Sequence, residues 1–107
     1  MQQLTRSTVL NSMRVGETSI EIMQPLPSTP LKTQQWVDNF KQLFSLEASE
    51  SDWGADRFQV VLSSTSSDPF FQCVLCIEWL CESMWLEPIG TQQDTAALVR
   101  YLHNIDE

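Results

Sequence analysis

Glycine, histidine and positive charge are scarce in this chain of 107 residues, which has 3 glycines, 1 histidine and 6 lysines and arginines against 14 aspartates and glutamates. So little glycine leaves no room for a Gly-rich phosphate loop, and no nucleophile elbow is present either; a single histidine leaves most hydrolase templates unfilled. A net charge of −8 repels phosphate backbones, so nucleic acid is not an expected partner. Long apolar runs are missing too. The longest, "CVLCI" at 73–77, falls far short of the roughly 20 residues that cross a bilayer, and "MQQLTRSTVLNSMRVG" lacks the apolar core of a signal peptide. No membrane association is expected, and the expected location is the cytoplasm.

What is present is ordinary globular material: 42% hydrophobic and 19% charged residues. A chain of this size makes one domain, 1–107, and removes roughly two thirds of its unfolded surface from water on folding. The charge is uneven. Residues 1–46 hold four basic groups (Arg6, Arg14, Lys32, Lys41) against three acidic ones, whereas 47–107 hold only Arg57 and Arg100 against eleven. An acidic second half serves solubility or a basic protein partner.

The first fifteen residues are polar and weakly patterned, and no element is assigned to them. "ETSIEIMQP" (17–25) alternates, with Ile20 and Ile22 on one side, which predicts a half-buried strand; "PLPSTP" (25–30) stops it as an extended connector. In "TQQWVDNFKQLFSLEASE" (33–50) the residues Trp36, Phe40, Leu43 and Phe44 form one stripe of an amphipathic helix that Thr29 with Pro30, or Thr33, can start. "EASESDWGAD" (47–56) reads as a loop. "RFQVVLSS", "FFQCVLCIEW" and "MWLEPI" read as three strands of a meander, the first two parted by the turn-rich "STSSDP". "TQQDTAALVRYLHNIDE" (91–107) closes the chain as a helix with a Thr91–Asp94 capping pair and a stripe of Leu98, Tyr101, Leu102 and Ile105. The order β-α-β-β-β-α predicts an α+β fold: a single four-stranded, mainly antiparallel sheet with two helices on one face.

The spacing of Cys73, Cys76 and Cys81 suggests a metal or redox site at first sight. A structural zinc needs four ligands, and His103 is the lone histidine, far away in the chain. A strand also sends Cys73 and Cys76 to opposite faces, so they cannot share an ion. Three cysteines, an odd number, preclude a complete disulfide framework; free, buried thiols in a reducing compartment are expected, with no metal and no cofactor.

A glycosidase-like pair could be built from Glu78 and Glu87, helped by Arg57 or His103, and would need a cleft that joins them. Solvated carboxylates on a sheet face are the simpler reading, and no catalytic residue is assigned. The four tryptophans say more, because tryptophan fills small cores and dominates interface hot spots. Trp36 and Trp79 fit core stripes; Trp53 and Trp85 fit an interface. With Arg57, Val61, Val74, Cys76, Glu78 and Glu87 they make the candidate partner surface, an open sheet face.

"WGADRFQ" (53–59) and "CESMWLEP" (81–88) resemble a family of short, acidic, uncharacterised bacterial proteins, a domain of unknown function. The resemblance spans residues 53–88 and implies a small stand-alone bacterial domain without an assigned activity. The expected function is a non-enzymatic protein-binding or assembly module whose partner is another protein or a second copy in a homodimer. The alternatives are a secretion-type chaperone, by analogy of size, acidity and fold class, and a small carboxylate-dependent enzyme.

Overall fold

The structure, a computed structural model, describes residues 5–65, 71–89 and 95–104, without the side chains of residues 50 and 104. Among these residues the elements run α1 Arg6–Asn11, β1 Met13–Val15, β2 Ile20–Ile22, α2 Pro30–Phe44, β3 Leu46–Trp53, β4 Arg57–Ser64, β5 Gln72–Glu78, β6 Ser83–Ile89 and α3 Thr95–Asn104. The strands form one antiparallel sheet in the order β1-β2-β6-β5-β4-β3.

The α+β class and the antiparallel meander agree with the sequence reading, but the count does not. The described residues hold six strands rather than four and three helices rather than two, so the order β-α-β-β-β-α is incomplete. The largest miss is β3, expected to be a loop because it is acidic and irregular. It is an edge strand, where one side faces water and charge is tolerated, and charge there discourages pairing with other chains. A register shift between Ala48 and Ser51 also breaks the two-residue alternation that marks a strand. Gly54 closes the β3–β4 hairpin by donating its N–H to the Arg57 carbonyl at 2.7 Å.

Short elements account for the other misses. α1 has six residues and buries one of them, Val9, too few to show a period; its signal is the Thr5–Thr8 capping box, in which the Thr5 hydroxyl accepts the Thr8 N–H at 3.1 Å. β1 has three residues and pairs with β2 through Met13–Ile22 and Val15–Ile20.

α2 starts where its signals place it. The Thr29 hydroxyl accepts the Lys32 N–H at 3.1 Å and Pro30 occupies the first turn, while Ser45 ends the helix in the left-handed region at φ 52°. Its buried face is Thr33, Val37, Phe40 and Phe44, with Trp36 and Leu43 only partly buried, so the stripe is rotated from the expected one. Thr33 is tolerated there because its hydroxyl donates to the Thr29 carbonyl at 2.8 Å. In α3, Leu98 and Leu102 are buried as expected, whereas Thr91, Asp94 and Ile105 lie outside the described residues.

The core sits between the three helices and one sheet face. Across the strands, Ile20, Leu86, Leu75 and Val60 stand in one row and Met84, Ile77 and Phe58 in the next, all buried against Val9, Val37, Phe40, Phe44, Leu98 and Leu102. Tyr101 clasps α3 to the end of α2: its hydroxyl lies 3.2 Å from the Phe44 carbonyl oxygen and 3.1 Å from that of Ser45. Carbonyls in a last helical turn lack partners within the helix. Tyr101→Phe is therefore expected to lower stability by about 1 kcal/mol in urea denaturation; an unchanged midpoint would show the clasp to be idle.

Candidate functional site: the outer sheet face

Alternation along β4, β5 and β6 sends Arg57, Gln59, Val61 and Ser63, then Gln72, Val74, Cys76 and Glu78, then Ser83, Trp85, Glu87 and Ile89 to the face away from the helices. Register aligns them. Glu21, Trp85, Cys76, Gln59 and Asp52 occupy successive strands in one row, Glu87, Val74 and Val61 form the next, and Ser83, Glu78 and Arg57 lie on the other side.

The centre of this face is apolar and its rim is charged. Val61, Val74 and Trp85 are half-buried, and Cys76 is 2% exposed although no described helix covers it. Neighbouring side chains shield it: Gln59 Nε2 reaches the Cys76 Sγ at 3.7 Å, and Trp85 stands beside it across the β5–β6 pair. Trp85 is braced by its own strand, since the indole N–H donates to Glu87 Oε1 at 2.6 Å. A ring held in place loses little entropy when a partner covers it.

Seven of the eight expected residues thus share the face. Trp53 does not. It pairs across from Phe58 on the helix side, with ring centroids 4.5 Å apart, and remains 44% exposed at the end of the edge strand.

The same register argues against carboxylate chemistry. Glu87 stands opposite Val74, four positions along β5 from Glu78, which sets their backbone positions roughly 13 Å apart along the strand at about 3.3 Å per residue. Glycosidase pairs work at about 5–9.5 Å. His103 is on α3, behind the sheet, where its carbonyl accepts from Arg6 Nη2 at 3.1 Å. The cysteines are free, with Cys73 in the core, Cys76 on the outer face and Cys81 exposed in the β5–β6 turn.

Comparison with protein-family models, with curated proteins and with solved structures finds no match. No relative lends it a function. The site must be read from its own chemistry: this face carries an apolar centre and a mixed rim, with Arg57 directly across from Glu78.

A second feature joins two segments that are distant in the chain. The connector after β2 and the turn after β5 enclose a groove of about 540 Å³ lined by Gln24, Pro25, Leu26, Pro27, Ser28, Trp79 and Glu82. Trp79 holds the two walls together, its indole N–H donating to the Pro27 carbonyl at 2.7 Å. The proline run and the inward phase of Trp79 were both legible; their contact, between residues 52 positions apart, was not.

Proposed function

We propose that the protein is a non-enzymatic protein-binding or assembly module that docks another protein, or a second copy of itself, on the outer sheet face. The observation that carries this is the apolar centre of half-buried Val61, Val74 and Trp85, beside the shielded Cys76, on a face that no described helix covers. Apolar patches on small domains mark interaction sites, and tryptophan is enriched among the residues that anchor such sites. The surplus of acidic groups after residue 46 favours a partner with basic groups around its contact. Among the described residues no helix is long and apolar enough to cross a membrane. The reading fits the stand-alone bacterial domain implied by the resemblance over residues 53–88.

A photo-crosslinking amino acid placed at Val74 is expected to give a discrete adduct in cells, while the same group at the exposed Arg100 of α3 gives none. An adduct of twice the chain mass identifies a second copy, and any other discrete mass a different protein. Val74→Arg should lower the adduct yield from a crosslinker placed at Val61 at least about tenfold, since a buried cation at an apolar contact is costly. The absence of any adduct at either position would sink the reading.

A further inference from the structure

We propose that the groove between the connector and the β5–β6 turn receives an arginine side chain presented by an extended segment of a protein partner. The inference rests on the protein-binding reading and gives it a second contact of defined chemistry.

Among its described lining residues the groove holds a carboxylate and no cationic side chain, and several of its donors are missing or engaged. Pro25 and Pro27 have no N–H to offer. The Trp79 indole N–H is spent on the Pro27 carbonyl, and Gln24 turns its amide nitrogen to the Thr8 carbonyl at 3.3 Å, which leaves its Oε1 as an acceptor. Glu82, the one charged group among the described lining residues, accepts only, and its own N–H goes to the Trp79 carbonyl at 3.2 Å. Just beyond Ser28 the α2 N-terminus offers fewer free N–H groups than usual, because Pro30 has none and the Thr29 hydroxyl takes the one of Lys32, which leaves that of Leu31. The one full charge among the described lining residues is negative, which favours a cation over an anion.

The remaining wall is apolar: Pro25, Leu26, Pro27 and Trp79. A ligand that suits both parts combines an apolar stem with a donor-rich head. Arginine does so, since its methylenes lie along apolar surface and its guanidinium presents five donors, stacks on aromatic rings and pairs with carboxylates. Met23 and Leu80, 54% and 80% exposed, precede Gln24 and follow Trp79 in the chain and offer apolar contact to the residues flanking that arginine. Leu80 sits in a turn whose last residue, Glu82, has φ 50°.

The test uses the full chain, 15N-labelled, and two probes: acetyl-Ala-Leu-Arg-Leu-Ala-amide and the same peptide with Glu in place of Arg. The Arg peptide is expected to shift the Trp79 indole resonance and the amides of Gln24, Leu26, Ser28 and Glu82 at millimolar concentration, and the Glu peptide to leave them in place. Glu82→Gln should weaken the Arg peptide about tenfold, the loss expected of one charge-assisted hydrogen bond. Glu82→Asn, whose residue accepts a positive φ more readily, should weaken it equally, showing that charge and not turn geometry matters. Equal shifts with both peptides, or shifts centred on Val74 and Trp85, would overturn the inference. The two readings fail separately: an adduct at Val74 with a silent Arg peptide removes the groove alone, and a groove that binds the Arg peptide stands even if Val74 gives no adduct.

Discussion

Phe40→Ala is expected to remove about 3–5 kcal/mol of stability, the usual cost of emptying a buried phenylalanine site. Phe40 is fully buried in the middle of α2, its ring stacked on Trp36 at 5.2 Å and 13° and tilted against Phe44 at 4.9 Å. Truncation leaves both neighbours without a partner at once, in a helix whose buried face is the main cover of the sheet. A domain of this size has about 5–15 kcal/mol in total, so the variant should be partly unfolded near body temperature. Urea unfolding followed by tryptophan fluorescence measures the loss, with Leu31→Ala as the control. Leu31 is 68% exposed on the same helix, and its truncation should change stability by no more than about 0.5 kcal/mol. A loss below about 1.5 kcal/mol for Phe40→Ala would mean that α2 does not pack on the sheet through this ring.

The three thiols are expected to differ in reactivity by orders of magnitude. Burial pushes Cys73 up from 9.0 to about 12, with Cys76 adding to the effect; burial also pushes Cys76 up to about 11, against the opposing bond from Gln59. The thiolate is the reactive species, so at pH 8 its fraction falls about a thousandfold at Cys73 and about a hundredfold at Cys76. A thiol-specific disulfide reagent should titrate one group, the exposed Cys81, rapidly in the native protein, and all three in denaturant. A second fast thiol without denaturant would contradict the burial of the β5 strand. The same shift sets a limit at alkaline pH. The folded Cys73 holds its proton more tightly than the unfolded one, so its contribution is complete below pH 9 and is lost as pH rises toward about 12, at about 1.4 kcal/mol per pH unit. Cys73→Ala should flatten that part of the curve.

Strands buried on one face could be read directly from the sequence, because alternation survives wherever one face must be dry. Phe58, Val60 and Leu62, then Cys73, Leu75 and Ile77, fall on the core side in the phase expected, and that phase also places seven of the eight candidate residues on the outer face. Edges were harder. β3 carries a bulge and charge, and an edge strand needs no apolar alternation because only part of it is covered. Trp53 was misplaced for the same reason, since a residue taken to lie in a loop could not be assigned to either side of a sheet. α1 and β1 are shorter than one period of any pattern. The groove depends on a contact between distant segments, which local chemistry does not encode. Trp79 and the prolines were noted, but as core and connector.

The pairing of β2 with β6 brings Ile20 beside Leu86, 66 positions away in the chain. The strands from β3 to β6 each have their neighbour next in sequence and can assemble as they leave the ribosome. β1 and β2 can pair with each other, but they cannot join the others until β6 is made. Loop-closure entropy is spent before that long contact returns anything, and the seam is short, with only Ile20 and Glu21 in register with β6. The β1–β2 hairpin is therefore the last part of the sheet to take its place, and with two registered pairs at its seam it is the first to come away.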